Sequence, residues 1–297
     1  MTSPLLITGA SGQLGGYLLR ELSRTDRPVV AWSGSRKGSL FGYSLRPVNL
    51  ADRDAMVRAF DEARPSAVIH AAAVSRIDQC LHDPPLARRV NEQGTALLSE
   101  LAARVRARLV YVSTDLVFDG RKGWYCETDP PSPLSVYGQT KAAAENAVLR
   151  DDRAVVVRVS LLFGPTIVDR PAFFDQQVAA LRSNRPCQLF EDEWRTPLSL
   201  RTAARSLLAI ADSDVCGVLH LGGPERMTRL EMGQRLARAL GADPAVFVPA
   251  RQAELPAPEP RPRDVSLDST RFRGLFPGQP LPTWEDAITE FEIQGFS

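Results

Sequence analysis

Leu5-Leu6-Ile7-Thr8-Gly9-Ala10-Ser11-Gly12-Gln13-Leu14-Gly15 decides the fold of this chain. A four-residue apolar run meets three glycines spaced Gly-x-x-Gly-x-x-Gly, then a helical pattern with Leu14, Leu18 and Leu22 on one face. A strand that turns through glycines into a helix aims backbone N–H groups, and the positive end of the helix, at an anion. A diphosphate fits that description. Gly9, Ser11, Gly12, Gln13, Leu14 and Gly15 are therefore candidate cofactor contacts. The spacing differs from the usual Gly-x-Gly-x-x-Gly, and the plainer reading is an ordinary glycine-rich turn. Its position at the first turn of an alternating pattern favours the cofactor.

That alternation continues downstream. Short apolar runs at residues 29–32, 67–70, 109–112 and 155–159 alternate with helical patterns at 53–63, 86–104 and 136–149. Continuous apolar strands separated by helices predict an α/β fold, a doubly wound parallel sheet covered on both faces. Past Gly164-Pro165 the pattern loosens. Residues 173–181, 200–211, 227–240 and 284–291 read as helices, 188–190 as short and extended, and 217–221 as one more buried strand. The stretch from Pro249 to Pro262 holds five prolines, both ends included, and predicts an irregular segment.

The end of the second strand speaks to the cofactor. NAD sites usually offer an acid there for the ribose hydroxyls, and no Asp or Glu occurs from Arg27 through Ala51. Ser33, Ser35, Arg36 and Lys37 stand there instead, two hydroxyls and two cations suited to a 2′-phosphate. NADP(H) is expected over NAD(H). Asn49 and Leu50 are placed to flank the adenine, and Ala71, Ala72 and Ala73 offer small side chains where a cofactor approaches the third strand. Asn91 reads equally as a helix-surface residue or as an amide steadying nearby backbone. Thr114 follows the fourth strand, at the sheet edge where ligands bind. Tyr137 and Lys141, four apart on one helix face, pair a phenol with an ammonium, which favours proton exchange by the tyrosine.

Composition bounds the remaining classes. In 297 residues with net charge +1, no basic field points to nucleic acid or an anionic membrane. No apolar run approaches the ~20 residues of a membrane span. Neither a signal-like start nor a cysteine pair is seen, so cytoplasm is expected, and the dispersed Cys and His residues predict no metal site.

Together these stretches resemble the extended short-chain dehydrogenase/reductase family, and within it the dTDP-4-dehydrorhamnose reductase branch. Residues 8–15, 113–120, 133–141, 158–164, 195–197 and 261–268 carry the resemblance in family order. It implies that Tyr137 donates a proton, Lys141 binds the nicotinamide ribose and lowers the tyrosine pKa, and Thr114 polarises a keto carbonyl. It implies a nucleotide-sugar substrate, met by Val74, Asp115, Leu116, Arg195, Arg261 and Arg263. It also implies interleaved domains: 1–165 and 195–222 for the dinucleotide, 166–194 and 223–297 for a substrate lobe. Leu116 stands where the branch often has tyrosine, and Asp264 where it often has asparagine. That added carboxylate needs Arg261 or Arg263 to offset it. An epimerase or dehydratase of the same superfamily is one alternative, although no Glu follows Asp115. A non-catalytic NADP-binding regulatory subunit, resembling that of methionine adenosyltransferase, is another. Oligomeric state stays open, a homodimer included.

Overall fold

The computed structural model describes residues 3–169, 171–255 and 257–291; residues 1–2, Arg170, Pro256 and 292–297, which the expected domain ranges include, lie outside the described residues. Its main sheet is built from β1 (Leu5–Thr8), β2 (Val29–Ser33), β3 (Ser39–Leu40), β4 (Tyr43–Pro47), β5 (Ala67–His70), β6 (Arg108–Thr114), β7 (Val155–Val159) and a last strand, Gly217–Leu221. Their order is Gly217–Leu221, β7, β6, β5, β1, β2, β4, β3. All neighbours run parallel except β3, which turns back on β4. β1 pairs with β2 on one side and β5 on the other, so the winding direction reverses there. This is a Rossmann-like doubly wound sheet with its crevice at that reversal.

Strand alternation sorts the core into two faces. Leu5, Ile7, Val155 and Val157 point to α1 (Gln13–Leu22) and a later helix, Leu200–Ala211, which lie side by side. Leu6, Val68, Tyr111 and Val156 point the other way, into a cluster with α2 (Arg53–Ala63), α5 (Thr95–Arg104) and α6 (Val136–Val148). Between β5 and α5 run two short helices, α3 (Ile77–His82) and α4 (Pro84–Ala87). A separate core gathers Phe163, from the short strand Leu162–Phe163, with Phe174, Met232, Leu236, Phe247 and Trp284 from α7 (Phe173–Ser183), the helices Arg229–Ala239 and Trp284–Thr289, and the strand Phe247–Ala250, which pairs with Cys187–Phe190. A fourth cluster, Val117, Phe118, Tyr125, Val265 and Leu267, ties the loop after β6 to the segment ahead of residue 268.

Several elements differ from the sequence pattern. The helix expected over 86–104 is α4, a π-helical turn at Arg88–Gly94, and α5. π turns commonly occur where a side chain is redirected to a functional site, and this one turns Asn91 inward to 1% exposure. The helix expected from Met227 begins at Arg229, because Thr228 and Glu231 form a reciprocal capping box. The proline-rich stretch contributes its first residues to Phe247–Ala250 and makes a 3₁₀ turn at Gln252–Glu254.

Glu145 and Arg158 form a salt bridge between α6 and β7 at 2% and 3% side-chain exposure. Arg158 donates from Nε at 3.1 and 3.2 Å and from Nη2 at 2.7 Å, and the Ser113 hydroxyl donates to the same carboxylate at 2.5 Å. Removing one partner of such a pair strands a buried charge and costs about 3–5 kcal/mol, whereas replacing both by apolar groups is often near neutral. Arg158→Met is expected to lower unfolding free energy by about that amount, and Glu145→Leu/Arg158→Met to recover most of it. Urea denaturation checks this: equal losses in the single and double variants would mean the stranded carboxylate is not the cost.

Candidate functional site

The turns after β1, β2, β4 and β5 and the end of β6, at the carboxyl edge of the sheet, carry most of the expected cofactor residues and Thr114. Gly9 follows β1 with φ +69°, and a Cβ there would lie 2.8 Å from the Ala71–Ala72 backbone. At Gly15 an added Cβ would sit 2.2 Å from the Gly9 oxygen, so only glycine lets α1 seat this close on the turn. Gly12 caps α1 without a side-chain hydrogen bond. The first amides of a helix lack intrahelical acceptors, and a diphosphate suits them. The cradle therefore fits a dinucleotide.

The next strand end carries the cationic loop. The Ser33 hydroxyl is buried and donates to the Arg36 carbonyl at 2.5 Å, which closes the turn. Ser35 and Lys37 are exposed. Asn49 makes a local turn with the Ala51 amide, while Leu50 is buried in the core.

A buried relay joins the cradle to α6. The Thr8 hydroxyl lies 2.6 Å from His70 Nδ1 and accepts from the Ala72 amide. His70 Nε2 lies 2.9 Å from Thr95 Oγ1, whose own proton goes to the Asn91 carbonyl. Burial pushes the His70 pKa down to about 3, with Lys141 adding to the shift, so the ring is neutral. Asn91 resolves as the backbone-steadying amide: it accepts from the Val74 amide at 2.8 Å and donates to the Val74 carbonyl at 3.0 Å and to Thr140 Oγ1 at 3.1 Å. Thr140 donates to the Tyr137 carbonyl.

Thr114, at the end of β6, lies near enough to Tyr137 to bear on its phenol, while its own hydroxyl donates to Asp115 Oδ1 at 3.2 Å and accepts from the Leu116 amide. α6 approaches this closely because residue 138 is glycine; a Cβ there would come within 2.3 Å of the Leu116 oxygen. The expected lowering of the tyrosine pKa by Lys141 is not seen. Burial, followed by the Asp115 carboxylate and Cys80, raises the phenol well above its usual range, with Thr114 working the other way. Lys141 Nζ instead donates to the Val112 carbonyl at 2.7 Å and lies 4.1 Å from the Tyr111 ring centre. Burial lowers its pKa to about 7, and Glu145 works the other way.

On the substrate side, Asp115 is buried, bonded to Thr114 and Ser160, and 3.9 Å from Arg195. Burial raises its pKa, against Arg195, Ser160 and Thr114. Arg195 is also buried; it contacts the Trp194 and Pro262 carbonyls and pairs with Glu193 at 3.1 Å. Its guanidinium thus staples the 262–263 segment. Arg261 and Arg263 are exposed, the former over the Phe190 ring. Asp264 is offset by neither: Arg226 pairs with it at 2.7 Å. Sequence reading also missed Glu259, whose carboxylate accepts from the Val136 amide at the start of α6. No local pattern marks a residue that far along the chain. Glu145 was missed as well, although its place four residues after Lys141 on the same helix face is the signal that could have found it.

The sequence profile of the RmlD substrate binding domain family matches residues 2–294. The dTDP-4-dehydrorhamnose reductase of Streptomyces griseus is 33% identical over 295 residues, covering 96% of this chain and 91% of that protein. Methionine adenosyltransferase 2 subunit beta of Bos taurus is 31% identical over 290 residues, covering 94% and 84%. Among solved structures, the dTDP-4-dehydrorhamnose reductase of Bacillus anthracis in complex with NADP superposes with TM-score 0.87 over 98% of this chain and 99% of that one, at 23% identity, a likeness of fold.

The lysine at the centre of the site is testable without turnover. In ¹⁵N-lysine-labelled protein, one Nζ signal is expected to titrate near pH 7 rather than 10.5. The folded chain releases this proton before the unfolded chain does, so this group makes stability rise with pH between about 7 and 10.5. Glu145→Gln removes the charge that holds the proton and is expected to move the midpoint lower still. A midpoint near the ordinary lysine value in both proteins would contradict the assignment.

Proposed function

We propose a function from one premise: the chain belongs to the RmlD substrate binding domain family. On this reading it is an NADPH-dependent oxidoreductase of the extended short-chain dehydrogenase/reductase type, and it reduces a keto sugar carried on a nucleotide. The observation that supports it most is the gathering of Thr114, at the end of β6, with Tyr137 and, one turn further along α6, the buried Lys141. Residues 1–165 and 195–222 hold the dinucleotide, and 166–194 and 223–297 the sugar nucleotide. The four cysteines are free, which suits the cytoplasm proposed for it.

When bound in the glycine cradle, the reduced nicotinamide supplies the hydride. Thr114 orients the substrate carbonyl by a hydrogen bond to its oxygen. Tyr137 then gives its proton to that oxygen; burial keeps the phenol protonated until the oxygen becomes basic. Lys141, one turn further along α6, holds the nicotinamide ribose. Val74, Asp115 and Leu116 border the reacting sugar, and Arg195 acts by fixing the segment that carries Arg261 and Arg263 toward the diphosphate.

Two other readings stay distinct. A dehydratase needs a further acid/base group beside Thr114; Asp115 is occupied by Ser160 and Thr114, and Leu116 offers none. A regulatory subunit is favoured by the 31% identity to methionine adenosyltransferase 2 subunit beta.

With a panel of nucleotide keto-sugars, loss of NADPH absorbance is expected for at least one. Tyr137→Phe is expected to lower kcat by about 10²–10⁴ while NADPH affinity changes by less than about twofold, because only the transferable proton is removed. Retained turnover in that variant would sink the mechanism. No turnover on any sugar, together with co-purification of a synthetase, would favour the regulatory subunit.

A further inference from the structure

The end of β2 carries no acid of its own, yet the fold brings one to it. Asp169 Oδ2 lies 2.9 Å from Arg36 Nη2. Asp169 belongs to the stretch that leads from Gly164 to α7, and this stretch is pinned across α1. The Tyr17 hydroxyl donates to the Pro165 carbonyl at 2.8 Å, and the Gln13 amide donates to Thr166 Oγ1 at 2.7 Å. Val168, 7% exposed, packs on Gly16, where an added Cβ would come within 3.1 Å of Val168 Cγ1. Thr166 is fixed in turn by Asp175 of α7, which accepts from its amide at 2.9 Å. The backbone immediately before Asp169 is therefore anchored, and its carboxylate is delivered to Arg36 by the fold.

We infer that Asp169 is the acid of the adenosine-ribose site and that, paired with Arg36, it sets the balance between NADPH and NADH. The inference rests on the dinucleotide reading above. A 2′-phosphate is recognised by the planar fork of a guanidinium. To reach Arg36 it must displace the carboxylate and then lie beside that negative charge. An unphosphorylated ribose presents hydroxyl donors instead, for which a carboxylate is the usual acceptor. The same ion pair thus weakens NADPH and supports NADH, so the site accepts both. With the Asp169 side chain 85% exposed, solvent and salt limit the effect to a few-fold.

The test is the dissociation constants of NADPH and NADH, measured by protein fluorescence for the wild type, Asp169→Asn and Arg36→Gln. Both substitutions lie at the surface and leave the core intact. Asp169→Asn is expected to tighten NADPH and to weaken NADH, each by about two- to fivefold. Arg36→Gln is expected to weaken NADPH by about tenfold or more and to change NADH by less than about twofold. Raising the salt should shrink the effect of Asp169→Asn. If Asp169→Asn shifts both constants the same way, or neither, Asp169 is not a specificity residue although the cofactor site stands. If the wild type binds neither dinucleotide, the cofactor reading fails and this one with it.

Discussion

The neutral imidazole of His70 is the joint on which the site depends. Thr95 gives its proton to the Asn91 carbonyl, so His70 Nε2 must donate to Thr95, and Nδ1 is left to accept from Thr8. Thr8 is then free to accept from the Ala72 amide, at the place where Gly9 presses on the same backbone. Protonating the ring would leave a donor facing a donor, and burial makes that costly. One tautomer thus orders a chain of bonds from the strand before the glycine cradle, through Asn91, to Thr140 and the carbonyl of Tyr137. The glycine turn and Tyr137 are held in one frame.

Charge in the same region is arranged along one face of α6. Tyr137, Lys141 and Glu145 follow at four-residue intervals, the first at the sheet edge and the last against Arg158. Burying an ammonium pushes it toward neutrality, and the Glu145 carboxylate counters that push. Arg158 in turn prevents the carboxylate from being a stranded charge. The pair therefore joins helix to sheet and also sets the field at the lysine. The same helix face thus carries a lysine poised near neutrality and, one turn before it, a tyrosine that burial holds protonated.

Much of the frame was legible in the sequence because it is local. Leu5 to Gly15 announces strand, turn and helix within one stretch, and Tyr137 to Lys141 declares its shared face by spacing alone. What escaped was contributed across the fold. The π turn at Arg88–Gly94 exists because Asn91 reaches Val74, a contact no helical period encodes. The lowering of the tyrosine pKa assigned to Lys141 did not survive, because the spacing is silent on burial and on the Val112 carbonyl that takes the ammonium. The missing acid at β2 was read correctly along the chain and incompletely in space, since Asp169 arrives from a segment past β7.

The segments past β7 show the same limit from the other side. Asp264 departs from the pattern of the family branch, and a lone carboxylate there would oppose a diphosphate. The fold answers with Arg226, which pairs with Asp264 while its guanidinium lies 4.5 Å from the Trp194 ring centre. Trp194 is itself bridged to Asp264 and followed by Arg195, whose donors hold the Pro262 carbonyl. The carboxylate is thus absorbed into a staple between the segments around Trp194 and Asp264, and only the side chains of Arg261 and Arg263 are left outside it. The departure changes how the wall of the site is fastened, while the exposed arginines that would meet an anionic substrate keep their charge.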